Sequence, residues 1–360
     1  MHPQSQHGFR PVFCTIVPPH VLDKLSQSDN PDLAGPARRT LEGDAARRTR
    51  RQMATVVTLP ASPGTETEGE APDKPDRTMY DCRHRTQLPG TEVRAEGQEP
   101  TQDASVNRAY AGLGATFELL FKAYGRSSID GKGLPLIGSV HYDEKYNNAF
   151  FDGEQMVFGD GDGEVFLDFT LPIDVIAHEL THGLTQYTAN LSYYGQSGAL
   201  NESVSDVFGS LVKQYSLGQS ADRADWLIGA GLLAPGVQGV ALRSMKEPGT
   251  AYDDDVLGKD PQPGKMEDYV HTSQDNGGVH LNSGIPNRAF YVLATALGGN
   301  AWERAGQIWF DVLTGGQLAV DADFADFARL TVAASRSRFG EGDETEAVLK
   351  AWSEVGVPAE

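Results

Sequence analysis

The run His178-Glu-Leu-Thr-His182 sits inside a segment whose flanks, Ile173-Asp-Val-Ile-Ala177 and Gly183-Leu-Thr-Gln-Tyr187, continue a helical pattern. Two imidazoles four residues apart project from one helix face and can share a metal ion, while Glu179, one position round, can reach a water bound there. The segment Gly198-Ala-Leu-Asn-Glu-Ser-Val-Ser-Asp-Val-Phe-Gly209 is again helical by pattern, with Glu202 twenty residues beyond His182 and Asp206 one turn further on. Glu202 offers a third ligand, and Asp206 is then placed to accept the other N–H of a ligating histidine and fix its tautomer. Left unpartnered on otherwise apolar faces, such groups would cost several kcal/mol. Two histidines and one carboxylate leave a fourth position open, which marks a catalytic rather than a structural zinc site. The chemistry this implies is hydrolysis of a carbonyl compound by a zinc-activated water, with an adjacent carboxylate as general base and an oxyanion that needs donors.

Four zones must position these residues. Met1 to about Arg51 holds a short extended run (Val12 to Val17), the pair Pro18-Pro19 and a helix from His20 to about Leu25; the stretch Ala37 to Arg51 follows, with six arginines and almost no apolar side chains. That stretch reads as poor core, either a solvated helix or a linker open to proteases. From about Ala54 to Asp103, short Val/Thr/Leu runs and a polar stretch from Ala61 to Asp76 predict strands and a mobile loop. From Ala104, a helical period (Ala109, Leu113, Phe117, Leu120) passes into strand-like segments around Ile137 to Tyr142 and Gln155 to Phe158. From Leu171 onward the periods are helical, including Val204 to Tyr215, Ala289 to Leu297, Ala305 to Leu313, Phe324 to Ala334 and Ala347 to Trp352. The pattern predicts an α+β fold, a β-rich half then an α-rich half with the chemistry at their join.

Length and composition bound the rest. A chain of 360 residues suggests two domains, and no apolar run is long enough to cross a bilayer. The net charge of −20 argues against nucleic acid or a membrane as partner. The first 51 residues carry eight Lys/Arg against five Asp/Glu, so a basic head precedes an acidic body. No apolar leader segment follows Met1, and the two cysteines, Cys14 and Cys82, build no disulfide framework. These features predict a cytoplasmic protein in a reducing compartment, with leaderless export as the alternative.

The zinc motifs, together with Asn147-Asn-Ala-Phe-Phe151, Leu242-Arg-Ser-Met245 and Asp275-Asn-Gly-Gly-Val-His-Leu-Asn-Ser-Gly284, resemble the successive signatures of the thermolysin family of zinc metallopeptidases, from about Ala104 to Gly356. Cys14-Thr-Ile-Val-Pro-Pro-His-Val-Leu22 resembles the short prosegment of the protealysin subgroup. The resemblance implies a two-lobed peptidase with zinc at the lobe junction: a prosegment over 1–51, a β-rich lobe over 52–172 and an α-helical lobe over 173–360. It makes His178, His182 and Glu202 the zinc ligands, Glu179 the general base and proton shuttle, and Asp206 the partner of His178. Tyr193 and His280 would donate to the oxyanion, with Asp275 orienting His280. Arg243 would bind a substrate carbonyl, and Asn148 with the backbone of Ala149 would hold the peptide as an added strand. Phe169, Val175, Leu232 and Leu242 would line the pocket for the side chain after the scissile bond, so cleavage is expected before bulky apolar residues. Peptide or protein substrates and the chain's own prosegment, through Cys14, Pro18, Pro19 and Leu22, are the expected partners of a monomer.

The same alignment argues against the calcium site of the secreted members. Asp174 and Asp225 remain, but Lys213, Leu227 and Ala230 stand where carboxylates are needed, and an ammonium cannot coordinate a hard cation. Gly159-Asp-Gly-Asp-Gly163 reads as a tight turn, and Asp253-Asp-Asp255 as a solvated loop or helix start. Phe151 stands where the family usually has Trp. Cys14 is expected to pack beside Pro18-Pro19, the alternative being a thiolate in the open zinc position. The rival function is a non-catalytic protein-binding module that keeps the fold; Glu179 and His280 are present where such a module could lose them.

Overall fold

Strands and helices follow the chemistry of the local sequence in the computed structural model, which describes residues 14–54 and 71–360, the side chains of 48–54 excepted. In chain order the first half contains β1 (Cys14–Thr15), α1 (Pro19–Ser26), α2 (Pro31–Ala54), β2 (Arg77–Arg85), β3 (Thr91–Ala95), α3 (Ala104–Tyr124), β4 (Leu136–Tyr142), β5 (Ala149–Phe151) and β6 (Met156–Phe158). Among the described residues the six strands form one sheet in the order β1-β5-β6-β4-β2-β3. The pairs β2–β4 and β4–β6 are parallel and the others antiparallel. Helix α3 starts where the Asp103 side chain accepts from the backbone N–H groups of Ser105 and Val106, and it stops at left-handed Gly125.

The second half is helical: α4 (Ile173–Gln186), α5 (Gly195–Leu217), α6 (Asp275–Asn282), α7 (Gly284–Leu297), α8 (Ala305–Thr314), α9 (Phe324–Phe339) and α10 (Asp343–Glu354). Two short antiparallel pairs, β7 (Leu227–Ile228) with β8 (Arg243–Ser244) and β9 (Asp253–Asp254) with β10 (Gly258–Lys259), lie between α5 and α6. Sheet first, helices second, the α+β expectation holds. None of the described helices is long and apolar enough to cross a membrane.

Helix α4 is buried from Asp174 to Gln186, with the sheet side (β5, β6, α3) on one flank and α5 on the other. A helix enclosed all round needs a partner for each polar side chain it carries, which is why its histidines and glutamate are informative. Helix α5 approaches it closely at Gly209, where a Cβ would stand 2.7 Å from the Asp174 carbonyl oxygen. Any larger residue there would push the two motif helices apart.

One expectation, at Asp253-Asp-Asp255, needs correction. The arginine-rich stretch lies on α2 and is a solvated helix over much of its described length, with Arg38, Arg39 and Glu42 exposed, while one face buries Ala37, Thr40 and Asp44. Asp253-Asp-Asp255 starts a hairpin, since the Asp254 carboxylate accepts from the N–H groups of Gln238, Val256 and Leu257 and closes the turn. Helix α6 is regular only after Gly278; Asn276, Gly277 and Gly278 are all left-handed. At Gly278 a Cβ would meet the Asn282 side chain at 2.9 Å, so the glycine is required by both backbone and space. Val12, Phe13 and most of the polar stretch from Ala61 to Asp76 lie outside the described residues.

Candidate active site

His178 and His182 on α4 face Glu202 on α5. Both rings are tied down through Nδ1: His178 donates to Asp206 Oδ1 at 2.8 Å and His182 to Asn201 Oδ1 at 2.8 Å. With Nδ1 carrying the proton, the two Nε2 lone pairs point at one another across 3.1 Å. Glu202 adds its oxygens at 3.5 Å from His178 Nε2 and 3.6 Å from His182 Nε2. Its buried Oε2 has no hydrogen-bond partner, and neither has Glu179 Oε1 beside it. Lone pairs converging this closely repel unless a cation stands among them, and two imidazoles with a carboxylate suit zinc. The residues therefore fit the metal that the motif implies.

The supports interlock. Asp206 also accepts from Arg243 at 2.8 Å through both Nε and Nη2 and from Asn287 Nδ2 at 2.8 Å. Burial works to raise the Asp206 carboxyl, but the Arg243 guanidinium and His178 outweigh it and keep it ionised. Burial likewise raises Glu202, yet His280, His182, His178 and Arg243 hold it down at about 2. Glu179 is compensated too little: burial and then the Glu202 charge outweigh the Phe151 N–H and the Arg243 guanidinium and push it well above the usual carboxylate range. Its Oε2 accepts from the Phe151 N–H at 3.2 Å, which aims it along the β5 edge.

Opposite Glu179, Tyr193 donates to Glu202 and its hydroxyl lies 3.3 Å from His280 Nε2. Asp275 holds His280 twice, accepting from Nδ1 at 2.7 Å and from the backbone N–H at 2.9 Å. The left-handed residues after Asp275 turn the chain back so that this carboxylate reaches a ring five residues on. Burial lowers the His280 pKa, but Asp275 and Glu202 raise it to about 9.

The run from Cys14 to Val17 occupies the cleft. It pairs antiparallel with β5, Cys14 opposite Phe151 and Thr15 opposite Phe150. Val17 N–H donates to Asn148 Oδ1 at 2.9 Å, Ile16 N–H to the Ala149 carbonyl at 3.3 Å, and Arg243 Nη1 to the Ile16 carbonyl at 3.0 Å. Pro18 caps α1 and Pro19 opens it, with Leu22 buried beneath. Ile16 is wholly buried and belongs to the same apolar cluster as Phe169, Val175, Leu232 and Leu242. Cys14 does not simply pack beside the prolines: its Sγ is 2.7 Å from Glu202 Oε1 and 2.8 Å from the Tyr193 hydroxyl.

Sequence reasoning missed four residues. Asn201, which fixes His182, and Asn287, which fixes Asp206, are amides without a spacing signature. Asp44 and Thr40 on α2 reach the peptide edge: Asp44 accepts from Asn148 Nδ2 at 3.1 Å and Tyr146 hydroxyl at 2.5 Å, and Thr40 Oγ1 accepts from Asn147 N–H at 3.2 Å. A charged residue three positions before Arg47 on a helix was the available signal. Elsewhere, Lys213 Nζ stands 3.1 Å from Asp174 and 2.8 Å from Asp225, an ammonium in the place between the two carboxylates. In Gly159–Gly163 the carboxylates are engaged within the protein, Asp160 by His141 and Asp162 by Asn147 and three backbone N–H groups.

A buried pair of histidines, a carboxylate ligand and a second glutamate aimed along a strand edge define a zinc-dependent peptidase. Residues 62–186 match the thermolysin metallopeptidase catalytic domain and residues 189–357 its alpha-helical domain. The chain belongs to the thermolysin family of metallopeptidases and is a zinc metalloendopeptidase. It is 49% identical over 349 residues, 97% of each chain, to an extracellular metalloprotease of Pectobacterium carotovorum subsp. carotovorum. It is 40% identical to a thermolysin of Alicyclobacillus acidocaldarius subsp. acidocaldarius, over 77% of this chain and 50% of that protein. The solved precursor of protealysin, a metalloproteinase from Serratia proteamaculans, superposes with a TM-score of 0.85 at 52% identity, covering 96% of this chain and 99% of that one. Nothing in these relationships supports the binding-module alternative. They also overturn the cytoplasmic expectation, because the Pectobacterium relative and a 42% identical relative from Serratia marcescens are both named extracellular.

Proposed function

We propose that the chain is a proenzyme with a prosegment over 1–51, whose run from Cys14 to Val17 fills the cleft between a sheet-rich lobe (52–172) and a helical lobe (173–360), and that the mature enzyme cuts peptides before bulky apolar residues. Zinc held by His178, His182 and Glu202 supplies Lewis acidity toward a peptide carbonyl and toward water. Glu179 takes a proton from the attacking water and delivers it to the departing nitrogen. Tyr193 and His280 donate to the oxygen on which negative charge develops, and Asp275 keeps His280 turned toward it. Asn148 and the Ala149 carbonyl hold the substrate backbone as a strand beside β5, Arg243 binds the carbonyl after the scissile bond, and Phe169, Val175, Leu232 and Leu242 receive the adjoining side chain. Secretion, as the names of the extracellular relatives suggest, places this activity outside the producing cell.

The observation that carries the reading is the hydrogen bonding of Ile16 and Val17 to Ala149, Asn148 and Arg243, a peptide already seated on the groups assigned to substrate. The test is a quenched fluorescent peptide with Gly before Leu, offered to the chain after removal of its head. Hydrolysis at the Gly–Leu bond that stops on chelation and returns with zinc is the expected result. Cleavage elsewhere, or none from a zinc-loaded trimmed chain, would remove the assignment.

A further inference from the structure

We infer that the Cys14 thiolate is a fourth protein ligand to the zinc, and that this ligand is what spares the Thr15–Ile16 bond from being cut by the enzyme's own site. The inference rests on the proposed roles of the cleft residues and adds the regulation of that site.

Two independent observations carry it. The first is the ligand cluster. Cys14 Sγ and the ligand atoms of His178, His182 and Glu202 all lie within 4.8 Å of one another, and all four residues are buried. Among them Glu202 Oε2 is buried without a hydrogen-bond partner, 3.5 Å from both His178 Nε2 and His280 Nε2. A cysteine that only fills space contacts carbon; the polar neighbours of this sulfur are Glu202, Tyr193, the Thr15 carbonyl at 3.8 Å and, at 3.9 Å, His280. Thiolate is a strong zinc ligand, and its proton leaves when the metal binds.

The second is the register. His280 Nε2 donates to the Thr15 carbonyl at 3.0 Å, Arg243 to the Ile16 carbonyl at 3.0 Å, and Val17 both donates to and accepts from Asn148. The carbonyl on the oxyanion donor is that of Thr15, and the residue that follows, Ile16, is bulky, apolar and wholly buried. The prosegment therefore runs in the direction of a substrate with Thr15–Ile16 at the scissile position. A bond so placed survives only if water is kept from it, and the sulfur stands where the attacking water would enter. Without the thiol, a water oxygen bonds to the Thr15 carbonyl carbon and the bond to the Ile16 nitrogen breaks. Both water protons end on that nitrogen, leaving a Thr15 carboxylate and an Ile16 ammonium.

The experiment compares the full zinc-loaded chain with Cys14→Ala and Cys14→Ser, all in a Cys82→Ser background so that one thiol is read. Intact mass should show both Cys14 variants losing residues 1–15, while Cys14→Ala with Glu179→Ala stays whole. In the chain that keeps Cys14, labelling by a thiol reagent should rise at least about tenfold on chelation. Its cobalt-substituted form should show a thiolate-to-metal charge-transfer band that Cys14→Ser lacks. Variants that stay whole overturn the protective role, and a cobalt spectrum indifferent to Cys14 overturns the ligand. Trypsin-trimmed Cys14 chain, run on the Gly–Leu peptide alongside, separates the two readings: hydrolysis there with intact variants refutes the thiol gate alone, and no hydrolysis refutes the peptidase assignment beneath it.

Discussion

On the floor of the cleft, the two metal-facing histidines are fixed by the helical half itself: His178 by Asp206, His182 by Asn201, and Asp206 in turn by Arg243 and Asn287. Along the peptide edge, several of the fixing groups come instead from the head of the chain. Asp44 holds the Asn148 amide, Thr40 accepts from Asn147, Ile16 pairs with Ala149, and Arg47 lies over the rings of Tyr142 and Phe150. The floor is self-supporting and the edge is borrowed. In the proenzyme reading, removal of the head leaves His178, His182 and Glu202 in place and frees both the surface that binds peptide and the position that Cys14 fills beside them.

The sharpest way to break this contrast is at the floor. Glu179→Gln should lower peptide hydrolysis by the mature enzyme about 10²- to 10⁴-fold while zinc remains at one per chain, measured by steady-state rates and metal analysis. Asp206→Asn should weaken zinc binding about 10- to 100-fold, read by chelator competition, because His178 loses the carboxylate that sets its tautomer. At the borrowed edge the effect should fall on the precursor alone. Asp44→Ala should speed trypsin trimming of the head roughly tenfold, as loss of a buried charged hydrogen bond implies, and leave mature hydrolysis unchanged.

Smaller effects lie outside the cleft. Lys213→Met should lower thermal stability by about 1–3 kcal/mol, since buried Asp174 loses its cation. Smallest is a pH term. The hydrogen bond to Asp160 raises His141 to about 9, against burial and with help from Asp103. The unfolded value is near 6.5, so this stabilisation is fully present below about pH 6.5 and is lost as pH rises through about 9. His141→Asn should flatten the dependence of Tm over that window.

The floor was the more legible region in the sequence for a physical reason. His178, Glu179, His182, Glu202 and Asp206 are chemically costly residues at helical spacing, and such spacing survives folding. Asn201 and Asn287 carry the same duty without a signature, because an amide is at home on any surface. Asp44 and Thr40 were hidden since α2 looks solvated by composition, and the one face that carries them is buried only by what it packs against. Cys14 was misread for a related reason: a small thiol beside two prolines suits packing, and only the fold brings it 2.7 Å from Glu202. The left-handed return at Gly277-Gly278 that brings Asp275 to His280 was not legible, because a glycine pair permits such a turn without specifying it.

The central claim, three zinc ligands held by the helical half while the head withholds the peptide edge, is tested most directly by measuring zinc content and Gly–Leu peptide hydrolysis on one sample before and after the head is removed. The account predicts one zinc per chain in both states, with hydrolysis appearing on trimming and no metal added. Zinc bound only after trimming, or hydrolysis by the intact chain at the mature rate, would contradict it.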